Sequence, residues 1–177
     1  MTVLHPTRRD FSVRLAAAIA ALGVPTSVVA GASIVKDAQV RDDAISRTGE
    51  AIHQDVTFRA SPERVYEALL DAEQFSKLSG GLPAEINREV GGAFSLFGGQ
   101  IKGRNIALVP NRRVVQAWRS EGWKDAGAWS IARFELKAQG AATKIVFDHT
   151  GFPRGEAASL LKGWKDHYWA GLTKFLA

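Results

Sequence analysis

The 177-residue chain contains no cysteine. Disulfides, thiolate metal sites and cysteine nucleophiles are therefore excluded, as is a lipid-modified cysteine after an export signal. The chain tolerates an oxidising or a reducing compartment equally. No block of basic residues is present either. Arg8, Arg9 and Arg14 against Asp10 account for +2 of the net +5, and what remains is too evenly spread to form a nucleic-acid footprint. No apolar run reaches the roughly twenty residues that a membrane-spanning helix needs. There is no internal repeat, no Gly-x-Ser-x-Gly elbow for a nucleophilic serine and no histidine spacing that would build a metal site from His5, His53, His149 or His167. No cofactor is expected.

What is present begins with an address. The opening stretch "MTVLHPTRRDFSVRLAAAIAALGVPTSVVAGASIV" places charge up to Arg14, then an apolar run from Leu15 to Ala30, then small residues. That is the three-part layout of an export signal. "TRRDF" resembles the start of the twin-arginine export motif, with Arg8 and Arg9 as its pair, although Ser12 and Val13 replace the usual leucine and lysine. The resemblance implies recognition by the twin-arginine translocase and a periplasmic or secreted protein, with cleavage after Ala30 or Ala32 in a signal spanning 1–32. An uncleaved N-terminal anchor and an ordinary amphipathic helix are the competing readings; a permanent anchor is not expected. Residues 33–50 read as a polar spacer.

From residue 51 the pattern becomes that of a folded domain. "IHQDVTFRA" alternates apolar and polar residues and predicts a half-buried strand. Ser61 followed by Pro62 predicts a helix start, and Val65, Ala68, Leu69 and Ala72 supply its apolar face. A second short helix is expected over 73–78, before Gly80-Gly81. Six strand-like segments follow at close spacing between 84 and 150, broken at Gly91-Gly92, Gly98-Gly99, Pro110-Asn111 and Gly140, which predicts an antiparallel meander. The end of the chain carries Leu160, Leu161, Trp164, Tyr168, Leu172, Phe175 and Leu176 at helical spacing. Strand, helix pair, meander and long final helix make an α+β layout in which a curved sheet of six to seven strands wraps the last helix.

The stretch "EVGGAFSLFGGQIKGR" (89–104) superficially suggests a phosphate-binding loop. Such a loop needs Gly-Lys-Ser/Thr entering a helix; here strands flank both sides and no helix N-terminus is available. The glycines instead suit hairpin turns that demand positive φ.

Together, "VTFRASPERVYEALLDAEQFSKL", "EVGGAFSLFGGQIKGRNIALVPNRRVVQAWRSEGW" and "ATKIVFDHTGFP" with the later "GW" resemble the Aha-type activators of the ninety-kilodalton heat-shock chaperone. Those belong to the SRPBCC (START and birch-pollen-allergen-like) superfamily, and the likeness covers residues 51–177. It implies a helix-grip fold with a hydrophobic cavity between sheet and final helix, and not one single function.

Strand parity puts Trp118, Ala132, Phe134, Phe147 and His149 toward the grip, opposite Trp164 and Tyr168 on the helix. These seven are the candidate ligand contacts, with small residues such as Ala132 leaving room beside large rings; a filled core is the competing reading. The cavity is expected beneath Trp164 and Tyr168, away from the glycine run. A lone histidine such as His149 is first a hydrogen-bonded structural residue, second a ligand contact and third a general base. The leading expectation is an exported, non-enzymatic binding protein for a small apolar ligand. The alternatives are a chaperone-interaction module and a cyclase-like or hydrolytic enzyme using the same cavity. The export signal weighs against the chaperone reading, because that chaperone is cytosolic. So does the separate N-terminal domain of the activators, for which residues 33–50 leave no room.

Overall fold

The computed structural model describes residues 50–177. The export signal, its cleavage positions after Ala30 or Ala32, and residues 33–49 of the spacer lie outside the described residues.

Strand β1 (Ala51–Phe58) alternates as its sequence requires: Ile52 and Phe58 are buried, while His53, Asp55 and Thr57 face solvent. Ser61 then caps helix α1 (Pro62–Leu70), its Oγ accepting from the Arg64 N–H at 3.3 Å, with Pro62 in the first turn where a missing N–H costs nothing. Asp71 serves two helices. Its N–H donates to Glu67 O at the end of α1, and its carboxylate accepts from the Gln74 N–H at 2.9 Å, opening α2 (Ala72–Leu78). The reversal between the helices therefore needs one residue.

The meander follows as β2 (Glu85–Ile86), β3 (Ala93–Leu96), β4 (Ile101–Val109), β5 (Arg113–Ser120), β6 (Ser130–Gln139) and β7 (Ala142–Thr150). All neighbours are antiparallel, and β1 closes the order β1-β7-β6-β5-β4-β3-β2 by pairing with β7 along its full length. The period of two sends Val114, Gln116 and Trp118, then Ser130, Ala132 and Phe134, then Ile145, Phe147 and His149 to the inner face.

Left-handed backbone marks the reversals. Gly91 (φ 83°) turns β2 into β3, and a run of Phe97 (52°), Gly98 (66°) and Gly99 (93°) turns β3 into β4. Gly103 has a different reason. A Cβ there would lie 2.2 Å from both Ala117 O and the Phe94 ring, so only glycine lets Phe94 cross the strand. Near the β4 bulge, buried Asn105 donates to Asn87 O at 2.9 Å and accepts from Gln116 Nε2 at 3.1 Å, which ties the β2–β3 loop to the sheet.

The final helix runs as α3 (Ala157–Gly163), a π-helical segment (Trp164–Trp169) and α4 (Ala170–Leu176). In an unbroken α-helix, Trp164 and Trp169 would project about 140° apart. The wider π turn brings Trp164, Tyr168 and Trp169 all into the core. This changes the expected apolar face: Trp169 joins it, whereas Leu161 is 42% exposed. Gly171 lets the helix touch α2, since a Cβ there would lie 2.5 Å from Leu78 O. The helix-grip architecture implied by the sequence is the one the chain adopts.

Gly103→Ala should destabilise the domain by about 1–3 kcal/mol, because neither a backbone carbonyl nor the inner Phe94 can yield freely. Urea denaturation of the two proteins checks this; an unchanged midpoint would contradict the tight crossing.

Candidate functional site

Most of the space between sheet and final helix is filled. Phe134 and Phe147 meet at 4.9 Å between ring centroids, Phe147 and Trp164 at 4.3 Å, and Trp164 stacks on Trp169 at 5.6 Å. The packing fails at one end. There a cavity of about 450 Å³ lies between Phe97–Ile101, the end of β5 and the first half of the final helix. Buried Trp118, Leu160, Trp164 and Tyr168 line its interior, and exposed Leu82, Gln100, Ser159, Lys162 and His167 surround it.

The aromatic wall is set by packing from behind. Trp118 touches Trp123 at 5.8 Å and Trp164 at 5.5 Å, and Trp164 contacts Tyr168 at 4.2 Å. Beneath it runs one hydrogen-bonded chain. The Trp164 indole N–H donates to His149 Nδ1 at 2.9 Å, His149 Nε2 lies 2.7 Å from Ser130 Oγ, and that hydroxyl donates to Trp118 O at 2.9 Å. The directions are consistent with a single tautomer: Nδ1 accepts, so Nε2–H donates to a hydroxyl whose own proton is already placed. Burial drives the His149 pKa down to about 3, so the ring is neutral at physiological pH.

Two polar atoms on the wall are left over. The Trp118 indole N–H and the Tyr168 hydroxyl are buried without a hydrogen-bond partner, a state that costs about 1–3 kcal/mol per group. Burial raises the pKa of the Tyr168 phenol well above its ordinary value, and the neighbouring Trp118 side chain pulls it the other way. Tyr168 is thus a protonated, neutral donor.

Of the seven candidate contacts, Trp118, Trp164 and Tyr168 line the cavity. Ala132, Phe134, Phe147 and His149 sit behind them in the packed core and are not among the lining residues. The glycine run does contribute, contrary to the expectation that the cavity lies apart from it: Phe97, Gln100 and Ile101 form one wall. An apolar residue at the tip of a glycine turn was the available signal, since such a side chain must find cover somewhere. Phe97 also borders a second cavity of about 270 Å³ on the other side, toward α2 and Gly171. Its ring packs on Phe75 at 5.2 Å and Tyr168 at 5.1 Å. Among the described residues, no group of three His, Asp or Glu side chains is placed to hold a metal ion.

Since His149 titrates near 3 in the fold and near its ordinary 6.5 when unfolded, acid favours the unfolded chain. Its contribution is complete above about pH 6.5 and falls by about 1.4 kcal/mol per pH unit as pH drops toward 3. His149→Gln should flatten the stability profile by one proton's slope between pH 4 and 6, measured by denaturant titration at each pH. Equal slopes would mean that the ring is protonated in the fold.

A family model described as "Activator of Hsp90 ATPase homolog 1-like protein" matches residues 59–177. The activator of 90 kDa heat shock protein ATPase homolog 1 of Homo sapiens is 26% identical over 118 residues, which cover 67% of this chain and 34% of the human protein. The corresponding protein of Dictyostelium discoideum is 30% identical over 109 residues, 61% of this chain and 28% of that one. The chain spans about a third of the length of the curated relatives it matches. Among solved structures, an HSP90 activator from Plasmodium falciparum superposes with a TM-score of 0.64 at 26% identity, covering 68% of this chain and 91% of that one. CalU16 from Micromonospora echinospora shares the fold, with a TM-score of 0.61 at 20% identity over 72% of this chain and 76% of its own.

Proposed function

The chain belongs to the activator of Hsp90 ATPase homolog 1-like family, and within that family we propose that it is an exported binding protein for a small, predominantly apolar molecule. The observation that carries this reading is the cavity of about 450 Å³, walled by Ile101, Trp118, Leu160, Trp164 and Tyr168, beside a grip that Phe134, Phe147, Trp164 and Trp169 fill with ring contacts. Its size falls in the range of small-molecule sites, roughly 300–1,000 Å³, and such sites are mostly apolar with few polar groups.

Binding is favoured over catalysis by the state of the two buried titratable groups at and behind the cavity wall. His149 has both ring nitrogens engaged in the chain from Trp164 to Ser130, and Tyr168 is held protonated. Neither supplies a base to the cavity. A second reading, a module that contacts a chaperone ATPase, rests on the names of the human and Dictyostelium relatives. Stimulation of an Hsp90 ATPase by the purified protein would support it.

The fluorescent apolar amine N-phenyl-1-naphthylamine tests the cavity. Saturable one-to-one binding is expected. A Cβ at Gly163 meets nothing within 4 Å, and this residue lines the cavity. Gly163→Leu should therefore weaken the probe at least about tenfold by occupying its space, while the protein stays folded. Probe binding that is absent, or indifferent to this substitution, would remove the proposal.

The export part of the reading is supported by Arg8 and Arg9 ahead of the apolar run. Fractionation with N-terminal sequencing should find a periplasmic protein that begins at residue 31 or 33. An uncleaved, wholly cytoplasmic protein would favour the chaperone reading instead.

A further inference from the structure

The two cavities beside the final helix are neighbours: Leu82, Phe97 and His167 line both of them. Leu82 and His167 are exposed, so they border the two spaces at the surface, whereas Phe97 is half-buried. Its ring packs edge-on against buried Phe75 at 5.2 Å and against Tyr168, on the wall of the larger cavity, at 5.1 Å. Below the surface, Phe97 is what a space of about 450 Å³ and one of about 270 Å³ have in common.

The backbone at this position would suit a smaller residue. Phe97 has φ 52°, in the left-handed region that a bulky side chain adopts at a cost of about 1–3 kcal/mol. Gly98 and Gly99 continue the same left-handed run at φ 66° and 93° without that cost. The turn itself therefore does not call for a ring at 97. Packing on Phe75 and Tyr168 offsets the strain and holds the ring where the two spaces meet. We propose that Phe97 is the partition that fixes ligand length at this site. It ends the larger cavity and withholds the smaller one, so the protein takes compact apolar molecules and rejects long unbranched chains. The assignment rests on the binding reading above and narrows the class of ligand. The space behind the partition has apolar cover to offer, since Leu78, Ala170 and Gly171 line it together with Asp166 and Lys174. A chain stopped at Phe97 leaves its remaining methylenes in water; one that passed would bury them.

Straight-chain alcohols from hexanol to dodecanol measure that length, by displacement of N-phenyl-1-naphthylamine from the purified full chain. Each methylene that enters the cavity should tighten binding about fourfold, the equivalent of its burial free energy. Beyond the length at which the chain meets Phe97, the gain should stop. Phe97→Gly keeps the left-handed backbone and removes the ring, and should move that break to longer alcohols. Ala170 is exposed and lines the smaller cavity but not the larger. Ala170→Phe should therefore leave the break where it is in the unmodified protein, and cancel the shift when combined with Phe97→Gly. Phe97→Leu should move the break the same way by less, and replaces Phe97→Gly should that variant not fold. A series without a break, a break that stays put when Phe97 is cut back, or a shift that Ala170→Phe does not cancel overturns the partition and leaves the cavity reading standing. Binding of N-phenyl-1-naphthylamine that no alcohol displaces does the same. Failure of N-phenyl-1-naphthylamine itself to bind removes the cavity reading, and the partition with it.

Discussion

The architecture depends on one hydrogen-bonded chain that fastens the final helix to the sheet. Trp164 of the helix donates to His149 on β7, which is hydrogen-bonded to Ser130 on β6, which in turn donates to the backbone of Trp118 on β5. Four residues on four elements thus occupy one fixed arrangement. The histidine is fully buried, and it avoids the cost of an unpaired polar group because both nitrogens are used. A neutral ring that accepts on one side and donates on the other joins an indole to a hydroxyl, which no purely apolar side chain could do. The chain also holds the rotation of the helix at Trp164.

The π turn is the second constraint. Three large rings at 164, 168 and 169 could not all point into the core from a regular α-helix. Widening the turn admits them: Trp164 and Trp169 fill the grip over Phe134 and Phe147 of β6 and β7, and Tyr168 packs on Phe75 and Phe97. The same arrangement leaves the space beside Trp118 and Tyr168 unfilled, because the helix ahead of the turn presents Ser159 and Gly163 there rather than rings. Cavity and core are therefore two results of one helix geometry. Phe97, held at a positive φ on the opposite side, closes the wall that the small residues leave thin.

Much of the fold could be read in advance. Alternation in "IHQDVTF" and "TKIVFDHT", the Ser61-Pro62 helix start and the glycine punctuation are local signals, set by backbone sterics and a period of two. The inner face of each central strand could be named from parity alone, which is why Trp118, Ala132, Phe134, Phe147 and His149 were all expected to point inward, and they do. Parity cannot say which inward residues touch an opening and which touch one another. That depends on how far the helix descends at each point. Trp169 was missed for the same reason: the helical period that located Leu160 and Leu172 assumes a constant 3.6 residues per turn, and the π segment breaks it.

The sequence by itself determined the order of elements, the inner faces and the turn glycines, since each follows from neighbours within a few residues along the chain, while the helix-grip class was implied by the family resemblance. Only the tertiary structure decided that the grip is filled over Phe134 and Phe147 and open over Trp118 and Tyr168. It also decided that His149 spends both nitrogens on structure, and that Phe97 and Ile101 of the glycine run wall the cavity. Those outcomes depend on distances between segments far apart in sequence, and packing against a helix of varying pitch sets those distances.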